Sequence, residues 1–325
     1  MGNYKVTIIM YHYVRDLKNS RYPSIKGLDL SLFIEQLNYL QKYYNVITME
    51  QLIYSIESKA KLPLKSALLT FDDAYIDHFN TVFPILYNRK IQGSFYVPAK
   101  TILNHLVLDV NKIHFIIASV SDIATLIKKT FNELNKYRKE YQLKINEFYF
   151  EKLAIANRMD SKEIIFFKRL LQKELPESLR KKIIVKLFEE FVGIDEEAFS
   201  RELYMNKEQI MCMIQNGMHI GNHGFDHYWL NSLTEEKQRE EIIKGNNFLK
   251  EMGVNMNNWT MSYPYGAYNK SLINILKEYN CRLGLATNVE MADISKNNRF
   301  ELPRLDTNDL PKDSSSELNK WFVKG

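Results

Sequence analysis

SALLTFDDAYIDHFNTVFPILYNRKIQGSFYVP, residues 66 to 98, is the stretch on which the fold turns. SALLTF is a short, almost continuous apolar run of strand length, residues from Ile76 to Arg89 carry helical periodicity, and SFYVP reads as a second strand. A strand, a helix and a strand in that order predict two parallel strands joined by a crossover helix. Two carboxylates, Asp72 and Asp73, stand where a parallel strand of a barrel would deliver side chains to the functional rim. Alone the pair is weak evidence, because most Asp-Asp pairs cap helices or make turns.

The same alternation extends in both directions. Before residue 66 come VTIIMY, a helix around Leu32 to Tyr44, VITM and a helix to Ser58. After residue 205 it resumes with a capping-box start at Asn206 to Gln209, the strand HIGN, a long helix after Ser232, the strand WTMSY, a helix after Asn269 and LGLAT. The predicted class is α/β, as a barrel or a doubly wound sheet. Between His105 and Leu203 the pattern changes to helical segments such as EIIFFKRLLQKEL and LRKKIIVKLFEEF, without strand signals. The chain thus divides into a first barrel part (1–104), an all-helical insertion (105–203) and a second barrel part (204–325). For the insertion a lid or packing subdomain is favoured; its aromatic patch EFYFEKL could meet a substrate, but an apolar helix face is more often core.

Hydrophobic content of 45% with 26% charged residues excludes a disordered chain. The 44 basic and 39 acidic residues are spread along the chain, so the net charge of +5 marks no nucleic-acid arm and no polybasic membrane tail, although an acidic polymer remains a possible partner. Cys212 and Cys281 make no disulfide framework and are expected to pack as small hydrophobes in helical segments. MGNYKVTIIMYHYV is too short in apolar residues for a signal-peptide core, and no run of about 18 apolar residues occurs, so no transmembrane segment is expected. The expected location is the cytoplasm, with the inner membrane face as one place within it.

HIGNHGFDH supplies His223 and His227 directly after a strand, and imidazoles four residues apart can converge on one ion. One carboxylate and two imidazoles make three protein ligands and leave a position open for water, which is the catalytic arrangement. Two Asp then divide the work, one binding the ion and the other taking a proton from water. SYPYG, residues 262 to 266, ends a third strand in a tight turn that can aim backbone N–H groups at the same rim. His12 in IIMYHYV and Arg304 in ELPRLD also close strand-like runs.

Four ordered segments carry a family resemblance. LLTFDDAYIDHFNTVFPIL, MIQNGMHIGNHGFDHYWLNSLT, MSYPYGAYNKSLINILKEYNCRLGLATN and the opening IIMYHYV are similar to those of the NodB-type polysaccharide deacetylases, carbohydrate esterase family four, in their Tyr-Pro-Tyr-Gly variant. The resemblance covers residues 4 to 104 and 204 to 306 and implies a distorted (β/α) barrel of the NodB-homology type. It implies Asp72 as general base, Asp73, His223 and His227 as ligands of a divalent ion, usually zinc, and the Tyr265 backbone N–H as oxyanion donor. The implied reaction hydrolyses an N-acetyl group of an amino sugar to acetate and a free amine.

Several positions depart from the family pattern. Ala74 stands where Gly is usual and Gly224 where Ser or Thr is usual. The family's Arg before the Pro-Tyr-Gly turn is replaced by Ser262 and Tyr263, with Arg304 as substitute or as a structural ion pair. The late Leu-x-His segment that supplies the general acid is missing, since all seven histidines lie at or before His227. His12 is the substitute candidate, with a packed, hydrogen-bonded histidine as an equal reading, and His78 is a weaker candidate. The leading expectation is a deacetylase of an N-acetylated glycan or a lipid- or nucleotide-linked precursor. Deformylation of a formamido sugar is a close variant, and a catalytically inactive metal- and glycan-binding protein is the competing class.

Overall fold

A computed structural model describes residues 2–157 and 160–324. Nine strands form its main sheet: β1 (Lys5–Tyr11), β2 (Asn45–Val46), β3 (Ser66–Asp72), β4 (Gly93–Val97), β5 (His219–Asn222), β6 (Met261–Ser262), β7 (Gly284–Leu285), β8 (Ala292–Asp293) and β9 (Leu305–Asp306). Their order is β7-β6-β5-β4-β3-β1-β8, with β2 on β3 and β9 on β1. Every pairing is parallel except that of β8 with β1. Leu302 bridges Leu285 of β7, and a few residues later β9 pairs with Ile9 and Met10 of β1. Residues 302–306 thus link β7 to β1 through one isolated bridge and a two-residue strand, and the architecture is α/β around a central, mostly parallel sheet, as expected.

Parallel strands must be covered on both faces, and β3 is buried at all of its positions. In-register pairing lines up Tyr11, Phe71 and Phe95 on adjacent strands, where their rings stack at 4.8 and 4.7 Å. Phe33 meets Tyr11 edge-on at 5.4 Å from the helix Leu30–Tyr43, whose first turn is capped by Asp29. Phe33, Leu37 and Leu40 of that helix have no solvent exposure, and each such burial contributes roughly 1.5–3 kcal/mol.

Three expected strands are shorter than the sequence suggests, and of LGLAT only Gly284–Leu285 is strand. VITM yields only Asn45–Val46, because Thr48 and Gln51 close a capping box and turn the chain into the helix Met49–Ser58. WTMSY yields Met261–Ser262; the Tyr263 N–H still bonds to Leu285 O, and Pro264, with no N–H to give, ends the ladder. The expected helix from Ile76 to Arg89 is a π-turn, His78–Val82, running into Phe83–Asn88, with Pro84 at the junction. The capping box at Asn206 and Gln209 is present.

By contacts the chain divides into two compact units. One holds the residues through Asp16, Gly27–Leu106 and those from Ser200 onward. The other holds Val107–Phe199 together with Leu17–Lys26. This second unit is helical, with Asp109–Ser119, Ile123–Tyr137, Asn146–Leu153, Lys162–Arg169 and Glu177–Phe191 packing Ile116, Leu126, Leu134, Phe166, Leu179 and Ile183 out of solvent. Tyr22 joins it edge-on to Phe115 at 4.9 Å, and Lys26 pairs with Asp160. Cys212 lies in the helix Lys207–Gln215, whereas Cys281, expected in a helix, lies beyond the end of Lys270–Glu278; both thiols are free. No helix among the described residues is long and apolar enough to cross a membrane.

Candidate active site

The chemistry-bearing residues stand at the C-terminal ends of the parallel strands, except Arg304, which was expected to close a strand-like run and instead stands at the N-terminal end of β9. Asp72 closes β3 and Asp73 follows it with φ +77°; His223 follows β5; Tyr265 sits in the turn Pro264–Gly266 after β6; Arg304 precedes β9; His12 follows β1. Alternation along β3 gives Thr70 and Asp72 the same face, and Arg304 confirms it by bonding to both.

Asp73, His223 and His227 are buried, and their potential ligand atoms lie within 4.8 Å of one another. Both histidine Nε2 atoms are 3.3 Å from Asp73 Oδ1, an oxygen that is buried without a hydrogen-bond partner. Two imidazole nitrogens aimed at one orphaned carboxylate oxygen fit a divalent cation better than they fit one another. The remaining polar atoms are arranged accordingly. Tyr75 donates its hydroxyl proton to Asp73 Oδ2 at 2.6 Å, leaving Oδ1 toward the histidines. His223 donates from Nδ1 to Ser262 O at 2.8 Å, which makes Nε2 the lone-pair nitrogen of the neutral ring. Burial pushes the Asp73 carboxyl up, but the two histidines outweigh it and hold the group well below the usual carboxylate range.

Asp72 belongs to a different network. Arg304 grips it in bidentate fashion, Nη1 to Oδ1 at 3.0 Å and Nη2 to Oδ2 at 2.8 Å. The same guanidinium donates from Nε to Ala286 O at 2.9 Å, so it is anchored at both ends. Ser262 adds its hydroxyl to Asp72 Oδ2 at 3.1 Å. Burial opposes ionisation of Asp72, yet Arg304 and then His223 bring its pKa down to about 2. The substitution that removes the expected Arg before the turn is thus met by Arg304 from a distant part of the chain.

His12 is half-buried, and its charge would act on both carboxylates. His78 is fully buried, donates from Nε2 to His12 O at 2.9 Å, and is driven by burial to a pKa of about 4. A neutral ring tied to the backbone is a support for His12, which removes His78 as an acid. Tyr265 has φ +57°, stacks on Trp229 at 4.4 Å and meets His227 edge-on at 4.8 Å. Sequence reasoning placed Ser262 at the rim but missed its hydroxyl as a partner of Asp72, and missed Tyr75 and Trp229 as neighbours of the site. Tyr75 and Ser262 carried a signal in their places beside Asp73 and within SYPYG, while Trp229 carried none.

Comparison with known proteins agrees with this arrangement. The family model for polysaccharide deacetylases matches residues 59–284, more than half of the chain, and the chain therefore belongs to that family. Its members are hydrolases acting on carbon–nitrogen bonds other than peptide bonds. YxkH, a provisionally named polysaccharide deacetylase of Bacillus subtilis (strain 168), is 29% identical over 84 residues, which span 26% of this chain and 30% of YxkH. Among solved structures, the Streptococcus pyogenes deacetylase PplD in complex with acetate aligns with a TM-score of 0.58 at 17% identity, covering 95% of both chains. IcaB from Ammonifex degensii aligns with a TM-score of 0.53 at 18% identity, over 94% of this chain and 92% of its own. A de-N-acetylase from Aggregatibacter actinomycetemcomitans aligns with a TM-score of 0.55 at 15% identity and 97% coverage of each. At these identities the structural likeness is one of fold.

Proposed function

We propose that this chain removes an N-acetyl group from an amino sugar of a polysaccharide or glycan precursor, using a divalent ion, zinc by the chemistry of the ligand set, held by Asp73, His223 and His227. The observation that carries this reading is the convergence of those three side chains with Asp72 held separately by Arg304. An ion bound there supplies Lewis acidity toward the acyl carbonyl and acidifies water. Asp72 takes the proton from the attacking water; bidentate pairing keeps it ionised and fixes the direction of its lone pairs. Two carboxylates support catalysis over passive binding, since holding the ion needs only one of them.

The Tyr265 backbone N–H, in the left-handed turn at φ +57° beside His227, donates to the developing oxyanion. Arg304 positions the base. His12 protonates the leaving amine: it is the histidine at the rim outside the proposed ligand set, and it acts electrostatically on both Asp72 and Asp73. The half-buried stack of Trp229 on Tyr265 offers an aromatic surface of the kind that packs on a sugar ring. Acetate, which is bound in the structure of PplD, is the product this reading assigns.

Acetate release from N-acetylglucosamine oligomers, measured with and without chelator, tests the proposal. Turnover that stops with chelator and returns with zinc is expected, and metal content should vanish in His223→Ala. A wild-type protein that binds zinc stoichiometrically and releases nothing from a broad glycan panel would leave the inactive glycan-binding reading, which the missing late histidine favours. Release of formate in place of acetate would identify a formamido sugar.

A further inference from the structure

The two histidines are supported unequally. His223 has Ser262 O on its far nitrogen at 2.8 Å, whereas His227 Nδ1 is buried with no hydrogen-bond partner. The aim of His227 therefore depends on its backbone, which takes φ +55°, a conformation costly for a residue with a Cβ. The loop from His223 to His227 also contains Gly224 at φ +75°, so two of its residues sit in the left-handed region. Something outside the loop must hold it.

Lys100 pairs with Asp226, and the Ala99 and Lys100 N–H groups donate to Gly224 O and Phe225 O; two further side chains bond to the loop's own N–H groups. Asn222 Oδ1 accepts the Gly224 N–H at 2.8 Å, while Asn222 Nδ2 donates to Asn246 Oδ1 at 2.9 Å and the amide lies where a Cβ on Gly245 would collide with it. Glu241, on the helix Glu235–Glu251 and only 6% exposed, accepts the N–H groups of both Phe225 and Asp226 on its Oε2, each at 2.9 Å. These are the two residues immediately before His227.

We propose that Glu241 is a positioning residue for metal binding: it clamps the Phe225–Asp226 backbone so that His227 presents Nε2 to the site without a partner on its other nitrogen. The inference rests on the reading that Asp73, His223 and His227 hold the ion. A buried carboxylate suits the task because charge-assisted bonds to N–H groups are about twice as strong as neutral ones. Deleting it leaves two backbone donors in a poorly solvated place, and the loop must move to satisfy them. Outer groups that orient ligands are worth about 10–100-fold in metal affinity.

The test is a zinc titration of metal-stripped full-length protein against a chromophoric chelator, with the visible spectrum of the cobalt-loaded protein as a second readout. Glu241→Ala is expected to bind zinc about 10–100-fold more weakly and to shift the cobalt spectrum. Glu241→Gln, which keeps an oxygen at the same reach, should recover most of the affinity. An affinity and cobalt spectrum unchanged in Glu241→Ala would overturn the inference, leaving Glu241 a structural cap. Should the alanine variant fail to fold, Glu241→Asp, which withdraws the oxygen by one methylene, carries the same test with the same two outcomes. His223→Ala is the reference: equal zinc binding by wild type and His223→Ala would refute the ligand set itself rather than the role of Glu241.

Discussion

Two ion pairs, one in each compact unit, join the same kinds of charge with opposite consequences. Arg304 and Asp72 sit among the parallel strands with side chains 0% and 2% exposed, whereas Lys181 and Glu177 lie one turn apart on the helix Glu177–Phe191 at 46% and 44% exposed. Water solvates each partner of the surface pair almost as well as the other partner does, so their contact at 2.6 Å adds little. Asp72 has no such substitute, and its charge persists in the interior only because Arg304 and Ser262 replace its hydration. The backbone repeats the contrast. Asp73, Ala74, His227 and Tyr265 all have positive φ at the strand ends, whereas among the described residues of Val107–Phe199 the non-glycine case is Gln142. Lys59, Lys65, Lys90, His105 and Asn280 of the same unit also have positive φ, the first and fourth as helix C-caps, but at the rim left-handed backbone coincides with buried charge; both oppose folding, and their coincidence marks a region shaped by something other than stability.

The largest effect that would sharpen this contrast is kinetic. Asp72→Asn should retain the metal and lower kcat by about 100- to 10,000-fold, the range of a general base, in acetate-release assays. Retained turnover would break the division of labour between Asp72 and Asp73. Next comes Arg304→Met, which strands the Asp72 charge and should lower unfolding free energy by about 3–5 kcal/mol in urea titrations. Lys181→Ala should change it by less than about 0.5 kcal/mol. Comparable losses from the two substitutions would erase the distinction.

Asp160 is intermediate, with a side chain 7% exposed between Lys168 and Lys26. Burial raises its pKa, but those two lysines outweigh burial and hold the carboxyl below the usual carboxylate range. A depressed folded value means that the contribution to stability is present above about pH 4, the unfolded range, and is lost as pH falls through the folded value. Asp160→Asn should therefore flatten the drop in urea midpoint between about pH 5 and pH 3. An unchanged pH slope would place Asp160 with the exposed pairs.

The strand position near residue 70 is legible because SALLTF is a short apolar run ending in Asp72 and Asp73, that near 95 because SFYV stops at Pro98, and that near 220 because HIGN lies between two helical patterns. Strand lengths are less so: VITM has strand composition, and only the cap at Thr48 shows where the sheet releases it. Leu17–Lys26 groups with the helical unit although its own residues carry no periodicity that says so. The seam between β7, Leu302 and β9 depends on two-residue strands, far below the length at which alternation becomes readable.

From the residues alone came the α/β alternation, the helical insertion, and Asp72, Asp73, His223, His227 and Tyr265 as the polar ends of separate strands. Local patterns determine these, because strand period and turn chemistry act over a few neighbours. Which groups face them was decided only in three dimensions. Arg304 reaches Asp72 across 232 residues and Ser262 across 190, and Glu241 meets the histidine loop from another helix. A carboxylate buried this deeply acquires its partner from whatever the packed sheet brings alongside, and spacing along the chain carries no record of that choice.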